Sequence, residues 1–289
     1  MKSAAIPQPR LLGTRALVLI VLGVLGVLAY MRLGLEVGGL LPGTGGAGIA
    51  QRFFAAALTP AFDYQGHFTP VGAPPFLFNI GVALWKTLIF AVAAMSISVP
   101  AGLFLGYLAA ATTWEGDPTA TSRTSARLGL LAYGSTRLLI ACMRSVHELL
   151  WAVIFLVTMG LTTASAVVAI AIPFTGTLAK VFSEMLDEAP RHTAAAVRAT
   201  GATPPVIFLC GRLPRALPDI AAYSFYRFEC AVRSSAILGF FGLPTLGFFI
   251  KASFENLHYN EVWSYLYALL AAVLLLEGWS SLLRRRFVT

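Results

Sequence analysis

LLWAVIFLVTMGLTTASAVVAIAIPFTGTLA, residues 149–179, runs for 31 positions without a charged side chain. The apolar pattern extends a few residues further on each side. As one helix from His147 to Met185 it would measure about 58 Å at 1.5 Å per residue. The hydrocarbon core of a bilayer is only about 30 Å thick. The stretch must therefore fold back on itself, most simply at Gly160-Leu161-Thr162-Thr163, and two crossings come out of one run. The whole composition agrees. Of 289 residues, 57% are hydrophobic and 12% charged, against about 25% charged in a soluble domain. That leaves too little polar surface for a water-soluble globule, and it excludes a disordered chain, a collagen-like fibre and an ordinary cytosolic enzyme. The fold class is an all-α polytopic membrane protein.

Outward from this run, other uncharged stretches mark further spans. Ala16 to Met31 is one, flanked by Arg15 and Arg32, which can snorkel. Its basic lead (Lys2, Arg10, Arg15) resembles a signal peptide, but no good cleavage site follows closely, and the segment reads as an uncleaved anchor. Thr87 to Trp114 is another, with its first twenty or so residues in hydrocarbon. Two more lie near 218–240 and 262–283. Lys and Arg cluster at the N-terminus, from Arg123 to Arg144, from Lys180 to Arg215, and at Arg284-Arg285-Arg286. If all four clusters face the cytoplasm, an even number of crossings separates each neighbouring pair. The runs supply two, two and two, which makes six helices with both termini inside. On this count most of the +8 net charge orients the chain. The segment 128–146, apolar but carrying Arg137 and Arg144, is expected to lie along the cytoplasmic face without crossing.

Residues 1–80 form the N-terminal anchor and a large outside region, within which 51–58 reads as an amphipathic interfacial helix. Residues 81–286 form the core domain. Cys142, Cys210 and Cys230 have no metal or redox spacing and read as small buried hydrophobes. His67, His147, His192 and His258 lack ligand spacing. There is no P-loop GxxxxGK[ST] and no GxSxG elbow. The basic residues follow membrane faces and are not gathered on a soluble domain, which disfavours nucleic-acid binding.

The segment 186–214 is the most informative. Ala189 to Thr200 has helix composition, with Asp187 and Glu188 ahead and Arg191 and Arg198 inside, as suits the helix dipole. Gly201 ends it as a C′ glycine would. Pro204-Pro205 start a new helix near Val206, and Pro214 and Pro218 break or bend the approach to the fifth span. The spacing resembles the E-A-A-x3-G-x9-I-x-L-P loop of ABC importer permeases. Ala195, Ala196 and Val197 occupy the leading positions, Arg198 follows, and Gly201 is the glycine. Gly211 stands at the Ile position, and Leu213-Pro214 close the motif. Ala195 replaces the leading Glu. In that family this loop is a coupling helix that docks in the ATPase subunit.

Two further stretches resemble permeases of the phosphonate, phosphite and hypophosphite type. Arg144-Ser145-Val146-His147-Glu148-Leu149-Leu150-Trp151-Ala152 is similar to their R-x-x-P-E-x-x-W-A, with His147 in place of Pro. Arg227 to Gly239 resembles R-F-E-x-x-x-R-x-S-x-V-L-G, followed here by Gly242-Leu243-Pro244-Thr245-Leu246-Gly247 instead of G-A-G-G-I-G. The likeness covers about residues 80–286. It implies a type I importer permease core, similar to the methionine importer's permease. It also implies two permease copies (identical or paralogous), two cytosolic ATPases that carry ATP and magnesium, an extracytoplasmic binding protein, and no cofactor on this chain. Rival readings are a permease for another small solute such as an amino acid, and a stand-alone secondary transporter. The latter would need no cytosolic knob.

Ionisable groups inside a bilayer are expensive and usually face a bundle interior or a water-filled path. Arg144, Glu148, Trp151, Arg227, Glu229 and Arg233 are therefore the candidate pathway residues. Glu229 and Arg233 are spaced i, i+4 in the favourable order for a pair. Arg227 either pairs with Glu148 or gives the pathway positive potential for an oxyanion. Gly242, Pro244 and Gly247 break the helix. The break is either a re-entrant turn at the outer gate, with Phe240, Phe241, Phe248 and Phe249 as apolar plugs, or an outside loop packed on the bundle.

Overall fold

The computed structural model describes residues 13–34, 43–66, 74–114 and 123–287. Lys2, Arg10 and His67, invoked above, lie outside them. The described residues hold helices and no strand: α1 (Thr14–Arg32), α2 (Thr44–Ala56), α3 (Phe76–Ala109), α4 (Ala111–Trp114), α5 (Arg123–Ser145), α6 (Glu148–Met159), α7 (Thr163–Glu188), α8 (Arg191–Ala199), α9 (Pro204–Val206), α10 (Leu213–Ile237), α11 (Leu246–Glu255) and α12 (Tyr259–Phe287). The chain divides into two compact units, residues 1–55 and 56–289. This boundary falls earlier than the one drawn at 80 from the sequence. Residues 57–65 belong with the second unit because α12 holds them. Ser264 Oγ donates to Ala61 O, Tyr267 Oη to Ala57 O, and the buried Glu261 carboxylate accepts the Gln65 N–H.

In the first unit, α1 is apolar on all sides and its leucines and valines are exposed, as a helix surrounded by lipid requires. The second unit is built on α3 and α7. They run parallel and pack at small residues. A Cβ at Gly102 would lie 2.8 Å from Leu178 Cβ, and one at Gly106 3.0 Å from Phe182 Cβ. Ser98, fully buried, donates to Ala94 O in its own helix and lies 3.1 Å from Ala171 O of α7. Lipid gives no hydrophobic drive for two helices to associate, so such close small-residue contacts carry the packing. α10 runs antiparallel to both, with Phe182 against Tyr223 near one end and Ser235 donating to Thr87 O near the other. α12 runs back alongside, Tyr265 against Phe76 and Trp279 against Phe225.

Among the described residues, four helices are long and apolar enough to cross a membrane alone, and two bent pairs raise the number to six if each pair makes one span. One pair corrects the sequence reading. α6 has only 12 residues, about 18 Å, too short for the third crossing assigned to it. α5 meets it at an 89° bend and is not confined to a surface. Its Ile140, Met143 and Arg144 pack on Gly176, the middle of α7. The two arginines suggested a helix along the cytoplasmic face, but Arg137, half-buried, and Arg144, exposed, both line a cavity between α3, α5 and α7. His147 makes the bend possible: its Nδ1 accepts the Leu149 N–H and caps α6. The expected fold-back at Gly160–Thr163 is present, closed by a reciprocal Thr162–Ser165 capping box. α3 begins eleven residues before Thr87, because Lys86 sits exposed on its flank and does not end the span.

The cysteines also differ from expectation. Cys142 and Cys210 are exposed and only Cys230 is half-buried. An apolar side chain in a membrane protein need not be internal, since lipid solvates it.

Replacing Gly106 with Val should force α3 and α7 apart and cost about 1–3 kcal/mol, lowering the thermal unfolding midpoint in detergent. Gly81→Leu, where a side chain meets open space, should leave it unchanged.

Candidate functional site: a docking helix coupled to a charged cleft

α7 runs without interruption to Glu188, so Asp187 does not act at the start of the next helix as expected from its position. On the last turn of α7 its carboxylate accepts the Ala111 N–H at 3.1 Å and the Thr112 N–H at 3.0 Å, and Thr112 Oγ1 donates to it at 2.8 Å. This ties the end of α3 to the end of α7. Ala189-Pro190 then turns the chain into α8, which stops where expected. Gly201 has φ +77°, a left-handed conformation that glycine adopts without steric cost, and its N–H donates to Arg198 O.

α8 is held on one side and open on the other. Ala194 is buried and lies 3.0 Å from where a Gly211 Cβ would be. Thr193 Oγ1 donates to Gly211 O at 2.9 Å. Any side chain at 211 would push α8 away, which explains glycine where the related motif has Ile. Ala195, Ala196, Gly201 and Pro214 are exposed, and Val197, Arg198 and Leu213 are half-buried. Pro204 and Pro205 start the return helix as expected, but Pro214 and Pro218 do not break it. Residues 207–212 form a π-helical turn, in which the Leu213 N–H bonds Phe208 O. The wider turn suits Pro214, which has no N–H to give and would crowd the carbonyl four residues back in an α-helix. α8 is thus seated directly on the base of α10.

Beside this base, between the ends of α7 and α10, lies a cavity of about 550 Å³ lined by Glu188, Arg215, Asp219, Tyr223 and Tyr226. Arg227 sits above it. Its Nε donates to Tyr223 Oη at 2.8 Å, and its guanidinium lies 5.3 Å from the Tyr223 ring and 5.8 Å from the Tyr226 ring. Among the described residues it has no carboxylate partner. Pairing with Glu148 does not occur, because Glu148 accepts from Ser234 Oγ at 3.0 Å, with His147 Nε2 at 3.6 Å. The Glu229–Arg233 pair forms at 2.9 Å. Trp151 stacks on Phe155 and its buried Nε1 has no hydrogen-bond partner. Arg144 lies apart from the cleft, on α5.

The turn at 242–247 is clamped to the bundle. Gly242 has φ +101°. Thr245 Oγ1 donates to Ala236 O, and the Leu246 N–H bonds Thr87 Oγ1, all buried. Gly247 passes so close to Ala236 that a Cβ would collide with its carbonyl oxygen at 2.1 Å, while Pro244 is exposed. α11 leaves at 48° to the α10 segment. Of the four phenylalanines proposed as plugs, Phe241 and Phe249 pack into the two core clusters, and Phe240 and Phe248 are the exposed ones. Two residues of this architecture had roles the sequence did not reveal: Thr87, read only as the start of a span, and Asp187, read as a dipole partner of the next helix.

A bundle of apolar helices with a polar pocket open at one end and a short helix seated beside it has the make-up of a membrane transport subunit. Residues 102–288 match the family model described as binding-protein-dependent transport system inner membrane component. The chain belongs to that family. It is 30% identical over 204 residues, 71% of this chain and 70% of the other, to the phosphite transport system permease protein PtxC of Stutzerimonas stutzeri. It is 28% identical to the phosphate-import permease protein PhnE of Mycolicibacterium smegmatis, over 81% of this chain and 42% of that longer one. In fold it resembles an inward-facing form of the MetNI methionine ABC transporter, with TM-score 0.61 and 22% identity over 74% of this chain and 99% of that one.

Asp187→Ala should leave two backbone N–H groups unsatisfied and cost about 1–3 kcal/mol. Asp187→Asn, which keeps an acceptor, should recover part of it. Thermal unfolding of the two variants checks the order.

Proposed function

We propose that this chain is the transmembrane permease subunit of an ATP-driven importer for phosphonates or reduced phosphorus oxyanions, phosphite and hypophosphite. The observation that carries the reading is α8, exposed along Ala195-Ala196 and seated through Gly211 on α10. The name of the phosphite permease, 30% identical over 71% of this chain, supports the substrate class. The unit consists of two permease subunits, two cytosolic ATPases and an extracytoplasmic binding protein. Both termini of this chain face the cytoplasm of a bacterial inner membrane. The chain does no covalent chemistry and binds no cofactor, and ATP and magnesium belong to the ATPases.

In this mechanism the ATPases close on ATP and draw the two α8 helices together. α8 cannot slide on its seat, because Ala194 already touches Gly211 at backbone distance, so the push passes into α10. The α7–α10 cleft then closes at the α8 end while the opposite end opens to the binding protein. The partners act by favouring one of two states. In the open cleft, Arg227 offers a guanidinium held by tyrosine rather than neutralised by a carboxylate. A guanidinium is suited to an oxyanion, which it can engage through a fork of N–H donors.

Deleting residues 192–202, or Gly201→Val, should leave the protein inserted in the membrane and abolish ATP-coupled uptake of phosphite in cells. Wild-type uptake by the deletion would favour the stand-alone transporter instead. Arg227→Leu should lower uptake at limiting phosphite far more than at saturating phosphite. Uptake of radiolabelled methionine rather than phosphite would refute the substrate class alone.

A further inference from the structure

Away from the cleft, a smaller cavity of about 180 Å³ lies between α3, α5 and α7, lined by seven residues. Three of the seven are the cations Arg137, Arg144 and Lys180, and none is an acid. Lys180 pairs with Glu184, which neutralises one charge. Arg137 gives its Nε to Ala109 O at 3.2 Å and rests 4.9 Å from the Tyr133 ring, both neutral partners. Arg144 has neither an ion pair nor a hydrogen bond among the described residues. Arg137 is half-buried and Arg144 exposed, so two positive charges on this flank of an apolar bundle have no anionic partner among the described residues.

The depth of the cavity narrows the ligand. α7 has 26 residues, about 39 Å, against a hydrocarbon thickness of about 30 Å. Arg144 crosses α7 at Gly176, its midpoint, with Cγ 3.0 Å from the place of a Cβ there. Lys180 and Ser183 follow one and two turns nearer the α8 end. Lys180 and Ser183 thus stand about 6 and 10 Å from that midpoint, and the cavity extends from mid-helix toward the α8 end, where a lipid headgroup could reach it from the nearer interface. Its flank is apolar and bare: Leu138 is 66% and Leu139 49% exposed. It also lies on a different side of α7 from the transport cleft. Lys180 faces this cavity and Met185 the cleft, which places them about 140° apart around the helix.

We infer that this cavity binds the phosphate headgroup of an anionic membrane lipid, with Arg137, Arg144 and Lys180 holding the phosphate oxygens and the acyl chains lying along Leu138 and Leu139. At about 30 Å³ per water molecule, its volume holds roughly six waters or one phosphate group. A basic pocket between helices near the cytoplasmic surface is the expected form of such a site. The bound phosphate neutralises the two free arginines and fixes α5 to α7 at the α5–α6 bend.

The test uses the full chain purified from phosphatidylcholine nanodiscs made with or without phosphatidylglycerol, and counts retained lipid by native mass spectrometry. Wild type should keep phosphatidylglycerol, and its unfolding midpoint should rise with it. Arg144→Gln and Lys180→Gln should each weaken retention by about fivefold. Lys251→Gln, outside the cavity, should not. If Arg144→Gln fails to fold, the Lys180 variant decides. Equal retention by all four proteins overturns the site. A midpoint raised as much by inorganic phosphate in phosphatidylcholine alone assigns the cavity to a free oxyanion and overturns the lipid reading. These readouts do not depend on transport, so they stand or fall apart from the proposed function.

Discussion

Everything in the second unit is arranged around the approach of α3 to α7 at Gly102 and Gly106. A side chain at either glycine would meet Leu178 or Phe182 within 3.0 Å, so the two helices touch almost backbone to backbone. In water, burying large side chains would provide the drive. In lipid, association depends on dispersion contacts and on hydrogen bonds that have nowhere else to go. The polar residues of the interior follow the same rule. Ser98, Thr87, Ser235 and Thr245 are small hydroxyls that bond carbonyls of neighbouring helices or their own. Thr87 is a hub: its hydroxyl donates to Ala83 O and accepts the Leu246 N–H, while its carbonyl accepts from Ser235. Through it the broken backbone after α10 is satisfied by protein, the condition for irregular chain at membrane depth.

A core that rigid can pass movement from one end to the other. Asp187 locks the α7 end to the α3–α4 turn, and the Tyr107 ring of α3 lies against that of Phe208 in the π-helical turn, centroids 4.5 Å apart and planes tilted by 52°. α8 sits on that turn. A force on α8 therefore meets fixed neighbours on two sides and α10 on the third. The π-helical turn is well placed for this, since such turns recur where helices serve function, and here it lets Pro214 stand at the start of α10.

Charge is divided between two places with different chemistry. Around Arg227 the partners are tyrosines, and the cleft beside it contains acids as well as Arg215. Around the cavity of Arg144 the other ionisable lining residues are cations, Arg137 and Lys180, of which Lys180 is paired with Glu184. The first arrangement offers a guanidinium to a cleft, and the second stores positive charge at a lipid-facing flank.

Much of this was legible before any coordinates. The length of residues 149–179 against bilayer thickness forced the fold-back, and the Thr162–Ser165 box lies where the chain had to turn. Gly201 ended α8 because local backbone preference decides a helix stop. The Glu229–Arg233 pair formed because i, i+4 spacing on one helix places both ends. What the sequence could not supply was every relation between helices. The two arginines of α5 suggested a helix along the cytoplasmic face, and only the packing of Arg144 at Gly176 and the bond from Arg137 to Ala109 O brought it against α7 and α3. Asp187 looked like a dipole partner for the next helix, and only the proximity of α4 made it a cap. Arg227 and Glu148 looked complementary, yet Tyr223 and Ser234 were nearer. The sequence by itself determined the number and length of the apolar segments, the helix stops and the within-helix pairs, because these depend on residues a few positions apart and on a solvent of known thickness. Only the tertiary structure decided which charge meets which partner, because that depends on distances of 3–4 Å between helices that are far apart along the chain.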